Sequence, residues 1–484
     1  MKKLSHGLRA FVFTTVAGWT SWAAAQNQTG TLTPVIPSNS VPFGVQIQAA
    51  FTLPSGLQSF VVGTYAGKWL LLSGNINGLH GFNNSNNNFP PDAQNTTVFV
   101  VDPVKGTVVT RLLTDPDSGL TQAQIDLLTV TGAQWCQSGT TLYMCGGYGV
   151  DTATGNFTTK ASLTAINIPG LIHWVTTSTH GETAAEYMRW VSNPIFQVSG
   201  GVLVEGSANN ALLVFGEDFE GAVTASSTGT YSAQVRRFVI ANGAKSLVFT
   251  PEAASPVTPN ASYARTDLNV VPTVTHGLEG FTAFSGVFTP GDGIWTVPVD
   301  ITTAGVPTMA NPALATTFKQ GMNNFACPTL ELYSATADTS YTVLMGGISY
   351  GYFQNKTFQT DAELPFINQV TTVTRNSSGL YSQCLMNGEY PVILSTNSNP
   401  GNTLLFGAGA TFIPAAGLPA YTNGVLKLDT LQPAATASGH HLTKSVLVGY
   451  IVGGIQSTLP NTNQESDSAA SPYIFSVTLT PGTP

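Results

Sequence analysis

The feature that most constrains this chain is a short apolar run that ends at or beside a glycine and keeps returning. It appears as WLLLSG up to Gly74, LYMCGG up to Gly147, LLVFGE around Gly216 and FTAFSG up to Gly286. It returns as YTVLMGG up to Gly347, TLLFGAG around Gly407 and VLVGYIVGG up to Gly454. The intervals run from 47 to 73 residues. Most of these runs are followed by a loop and two more strand-like segments, such as TTVFVVDP and then TVVTRLL. Several are also preceded by a strand and a tight turn, as in AQWCQSGTTLYMCGG. Four strands per unit at such a period are the grammar of a propeller blade. Glycine fits where inner strands converge and the backbone must turn sharply out of the sheet.

Composition agrees. Only 9% of the 484 residues are charged, against roughly 25% in an ordinary soluble protein. Polarity comes from Thr, Ser, Asn and Gln, with 49 Gly and 29 Pro, which suits many short strands joined by turns. Beyond the N-terminus no apolar run reaches the roughly 20 residues of a spanning helix, so no transmembrane anchor is expected. A formal charge of −8 speaks against a nucleic-acid partner.

The N-terminus reads as a bacterial-style signal peptide. Lys2, Lys3 and Arg9 supply positive charge, FVFTTVAGW an apolar core, and Ala23-Ala24-Ala25 a small-residue cleavage site. The expected division is a signal peptide at 1–25, a lead-in at 26–43 and a single propeller at 44–484, in a secreted or cell-surface protein. Cys136, Cys145, Cys327 and Cys384 permit disulfides in that compartment. Cys136 and Cys145 flank one turn and are a possible cross-hairpin pair; buried free thiols are the alternative.

The glycine-ended second strands resemble those of kelch-repeat propellers, with strict diglycines at Gly146-Gly147, Gly346-Gly347 and Gly453-Gly454. The resemblance spans essentially the whole chain after the signal peptide. It implies an all-β fold: a single β-propeller of seven four-stranded kelch-like blades, closed by an N-terminal strand. GVQIQAAF (Gly44 to Phe51) is the candidate closing strand, because the last unit lacks its outer one. The competing architecture, a pair of β-sandwiches, leaves the recurring glycine unexplained. LTQAQIDLL is the best helix candidate, with Thr121 as its cap.

In kelch propellers the loop after the second strand lies on the same face as the blade-to-blade connections. Most such loops here are long and rich in Asn, Gly and aromatic residues. Candidate ligand-binding residues on them are His80, Phe82, Tyr148, Tyr350 and Tyr352, since rings stack on sugars and amides pair with hydroxyls. Charged residues are scarce, so Arg265, Asp267, His276 and Glu279 form a second candidate group, expected to meet at the channel mouth. No catalytic residue is assigned.

No metal or cofactor is expected: there is no CxxC spacing, and His440-His441 is the sole histidine pair. The Tyr-His dipeptide of copper-oxidase propellers is absent, as is a G-x-S-x-G elbow. The expected function is binding of a glycan or protein on the loop face by a monomer. The alternatives are a sugar-modifying enzyme, such as a mutarotase or epimerase, and a structural surface protein.

Overall fold

A computed structural model describes residues 31–482 apart from 85, 178–180, 208–209, 245, 290–292, 432–441, 443 and 463. The expected signal peptide and the His440-His441 pair lie outside the described residues.

Five four-stranded blades and one six-stranded sheet stand side by side. Sheet 1 holds Val61–Tyr65, Lys68–Leu72, Thr97–Asp102 and Thr107–Leu112. Sheet 2 holds Gln134–Ser138, Thr141–Cys145, Ser162–Asn167 and Met188–Ser192. Sheet 3 holds Val202–Glu205, Asn210–Val214, Val235–Asn242 and Leu247–Ser255. Sheet 4 holds Asn269–Thr275, Leu278–Phe284, Val299–Thr302 and Pro307–Met309. Sheet 5 has the meander Thr329–Ser334, Thr339–Ile348, Phe366–Arg375 and Tyr381–Glu389 at its centre. Short parallel strands extend both of its edges, Ile36–Pro37 on one side and Leu426–Lys427 on the other. Sheet 6 holds Ala410–Pro414, Val446–Gly453 and Tyr473–Pro481, with Phe43–Thr52 as its outer strand.

Strand alternation closes the ring. Side chains of a strand point alternately to its two faces, and in these sheets both faces are apolar. Leu70 and Leu72 pack toward Leu142 and Met144 of sheet 2. Their neighbours Trp69 and Leu71 pack toward Val452 and Ile474 of sheet 6. Likewise Ala211 and Leu213 face Leu163 and Ala165 of sheet 2, while Leu212 and Val214 face Val270 and Phe281 of sheet 4. Val271 and Phe284 of sheet 4 meet Leu344 and Val373 of sheet 5, whose Val343 and Met345 meet Val448 and Ile451 of sheet 6. Each sheet therefore has an apolar neighbour on both sides, which is a propeller.

The last sheet is built from both ends of the chain. Phe43–Thr52 runs antiparallel to Tyr473–Pro481, with Val45 opposite Leu479 and Ile47 opposite Val477. This covers the edge that the final strand would otherwise expose.

The expected seven blades are corrected to five, with the six-stranded sheet filling the remaining sector. Six of the seven glycine-ended runs finish in two consecutive left-handed residues, from Ser73-Gly74 to Gly453-Gly454. The exception is TLLFGAG. It is the approach to Ala410–Pro414, the inner strand of sheet 6, so two expected units are one sheet. The second residue of each pair is glycine for a steric reason besides φ. A Cβ on Gly454 would lie 2.6 Å from the Ala410 Cβ, and one on Gly147 2.6 Å from Val130 Cγ2. The first position tolerates Ser73, Phe215 and Ser285 at positive φ.

Helix α1, Gln122–Leu128, is capped as expected: the Thr121 hydroxyl accepts from the Gln124 amide in a capping box. Helix α2, Ile168–Thr176, packs Leu171 and Trp174 into the core between sheets 1 and 2. All four cysteines are free thiols. The register sets Cys136 opposite Tyr143 and Cys145 opposite Gln134, so the two do not face each other.

Candidate functional site

The connection into each inner strand runs past the ring axis. At that point stand Ser59, Gly132, Gly200, Asp267, Ala326 and Gly409, all with left-handed φ between 47° and 65°. Backbone amides link them around the axis. Ser59 N donates to Gly409 O (2.8 Å), Gly200 N to Gly132 O (3.1 Å), Asp267 N to Gly200 O (2.9 Å) and Gly409 N to Ala326 O (2.7 Å). These connections form the floor of a cavity of about 580 Å³ at the centre of the ring. Its walls are the loops that follow the second strands. The residue directly after the left-handed pair lines the cavity in sheets 2 to 6: Tyr148, Glu217, Val287, Ile348 and Ile455.

One wall is an arc of aromatic rings drawn from three loops. His80 lies 4.8 Å from Phe82 and 4.9 Å from Phe89, centroid to centroid. Phe89 lies 5.8 Å from Tyr148, and Tyr148 6.3 Å from Phe219. All five line the cavity. The rings also fasten the loops together: the Tyr148 hydroxyl donates to Gly221 O at 2.7 Å, and Asn88 N donates to Val223 O at 2.8 Å. His80 Nδ1 donates to Gly81 O at 2.8 Å, because a carbonyl only accepts. Burial holds the His80 pKa below its usual value, against the opposing pull of the Gly81 bond and Glu465. The ring is therefore neutral at neutral pH.

Three acids, Glu217, Asp267 and Glu363, line the cavity with these rings, and the first two interact electrostatically. Glu217 belongs to the short strand Glu217–Asp218, which pairs with Thr230–Tyr231. Burial pushes its carboxyl up to about 8, the Asp267 charge adds to this, and a hydrogen bond from Thr266 opposes it. Asp267 is open to the cavity but walled in by protein, and burial pushes it up to about 6. No ion pair neutralises either group among the described residues. A methyl placed on Gly229 would lie 2.5 Å from Glu217 Oε2 and 3.0 Å from Phe219 Cε2, so ring and carboxyl border one spot.

The expected site residues divide. His80, Phe82, Tyr148 and Asp267 come together in the cavity. Arg265 does not join them. It is wholly buried, its guanidinium donating to Val297 O (2.9 Å) and Ser285 O (3.3 Å) and lying 4.6 Å from the Trp295 ring. His276 and Glu279 sit at the far end of the Asn269–Thr275 strand, about 20 Å from the cavity floor at ~3.3 Å per residue. There His276 Nδ1 pairs with Asp338 at 2.6 Å, and Glu279 accepts from Thr422 N at 3.0 Å. The expected four-residue cluster therefore does not assemble: one strand length separates its two halves. Tyr350 packs beside Ile348 and Leu364, and Tyr352 lies in the hairpin of Gly351–Gln354 with Thr357–Thr360; neither lines the cavity. Among the described residues no group of three or more His, Cys, Asp or Glu could hold a metal ion.

Glu217, missed from the sequence, follows the glycine of LLVFGE directly. Once that slot is known to face the axis, it is the slot's single carboxylate.

No protein-family model matches the chain, and no curated protein matches it. Solved structures do. One, titled "Structure of YjhT", is 12% identical, covers 87% of this chain and 95% of its own, and superposes with a TM-score of 0.44. Nothing about the site is carried across from it. The propeller is evident from the chain's own sheets, whereas no family match supports kelch membership.

Proposed function

We propose that this is a secreted ligand-binding propeller whose central cavity, on the loop face, takes a carbohydrate. One observation carries the reading: an arc of five rings stands in the same cavity as two carboxyls that no cation neutralises. Sugar C–H faces stack on rings, while hydroxyls donate to carboxylates, and a concave site brings both together. The concave site, fixed to a rigid ring, suits a small ligand or the end of a chain better than a broad protein face.

A second reading, acid–base chemistry on the bound sugar, is favoured by the same carboxyls. With Glu217 near 8 and Asp267 near 6, one is protonated and the other ionised at neutral pH. Such a split supplies a proton donor beside a proton acceptor.

A glycan array probed with the full chain tests the first reading. Binding that Phe219→Ala removes supports it. Absence of binding to every glycan counts against it.

A further inference from the structure

We infer that the ligand of the central cavity carries a positively charged nitrogen, an organic ammonium group held by the carboxyls of Asp267 and Glu217 against the aromatic wall. This rests on reading the cavity as a small-molecule site, and it narrows the class of molecule.

No Lys or Arg is among the described residues that line the cavity. Arg265, two residues from Asp267, spends its guanidinium on the carbonyls of Ser285 and Val297 and on the Trp295 ring. Arg236 donates to Ile195 O at 2.9 Å. His80 is present as a neutral ring. The groups that face the carboxyl pair are Thr266, Ser199 and Phe219, and the other acid lining the cavity, Glu363, adds negative charge. An anionic sugar would enter against this field with no cation to receive it.

A neutral sugar can hydrogen-bond to the carboxyls but leaves the Asp267 charge uncompensated. An ammonium group neutralises it, and ring faces attract cations when water is excluded. The carboxyl and the ring belong to one wall: Glu217 and Phe219 are two residues apart in the chain, and both line the cavity.

Protonation supplies an independent signature. Both carboxyls titrate near neutrality without ligand, Asp267 about 6 and Glu217 about 8. A cation favours their ionised forms and so releases protons on binding. Affinity for an ammonium ligand therefore rises from pH 5 to pH 8. For a neutral ligand that accepts hydrogen bonds from the acids it falls.

The test uses calorimetry on the full chain with two matched probe sets. The first is benzylamine, benzyl alcohol and benzoate. The second is chitosan oligosaccharides, with free amines, and their N-acetylated counterparts. Benzylamine is expected to bind at least tenfold more tightly than benzyl alcohol, and benzoate not at all. Asp267→Asn, which suits the left-handed backbone at this position (φ 51°), should weaken benzylamine about tenfold and benzyl alcohol far less, since the amide oxygen still accepts from a hydroxyl. Glu217→Gln should remove the upper part of the pH dependence. Equal binding of amine and alcohol, or preference for benzoate or for the N-acetylated sugar, overturns the inference and leaves the glycan reading intact. Tight benzylamine binding with neither oligosaccharide bound keeps the cation, and the glycan array then decides the carbohydrate reading. Failure of all probes overturns the inference.

Discussion

Glu217 and Asp267 face the same cavity from neighbouring sheets, and the charge on Asp267 helps to hold the Glu217 carboxyl protonated at neutral pH. The two come from different kinds of position: one follows a second strand, the other precedes an inner strand. Their proximity is a product of the ring.

That coupling is testable directly. In Asp267→Asn the Glu217 pKa should fall from about 8, since one of its two upward causes is gone. Carboxyl carbon NMR across pH 4 to 9 reads this; an unchanged Glu217 midpoint would show that the two groups do not interact.

Stability should depend on pH through the same groups. Glu217, Asp267 and Glu331 all have carboxyls raised by burial, to about 8, 6 and 7. Their unfolded values lie near 4. The folded state thus binds more protons, and the stability they contribute is full below about pH 4 and lost as pH rises through 6 to 8. Melting temperature should decline from pH 5 to pH 9, and Glu331→Gln should flatten the decline. A melting temperature that rises over this range would contradict the assignment.

The glycine after each second strand sets a steric test. Gly454→Ala places a Cβ 2.6 Å from that of Ala410 at a φ of 88° and should cost about 3 kcal/mol or more. Gly67→Ala, at a φ of 75° with open space around it, should cost only about 1 kcal/mol. Urea denaturation of the two variants gives the comparison, and similar losses would remove crowding as the reason for the repeat.

Arg265 should behave as a structural cation. Truncation to Ala leaves the Ser285 and Val297 carbonyls without their donor and empties the face of Trp295, at about 3 kcal/mol or more. Ligand affinity of the folded fraction should not change. His276→Ala, which breaks a half-exposed pair with Asp338, should cost at most about 1 kcal/mol. Thermal melts with binding measured below the melt separate these effects; loss of binding in His276→Ala would move the site to the other face.

Much of this architecture is written locally. A run such as WLLLSG carries its strand, its turn and its steric demand within six residues, so the repeat and the four-strand unit are legible. The closing strand is legible because the last unit lacks an outer strand while GVQIQAAF stands before the first complete unit. TLLFGAG misleads because it has the composition of a glycine-ended strand but lies in a connection, where Gly347 N donates to Phe406 O at 2.9 Å. The site is less legible. His80, Phe82 and Tyr148 announce themselves as aromatics on long loops, but the sequence alone gives no distance between Glu217 and Asp267. Arg265 misleads for the opposite reason: a lone arginine looks functional, and only packing reveals carbonyls and an indole around it.

The most direct measurement is a co-crystal structure of the full chain with the tightest glycan found on the array. The ligand is predicted in the central cavity, stacked on the arc that ends at Phe219 and hydrogen-bonded to Asp267 or Glu217. A ligand bound at the His276 face, or on the outer strands with the cavity unchanged, would contradict the account.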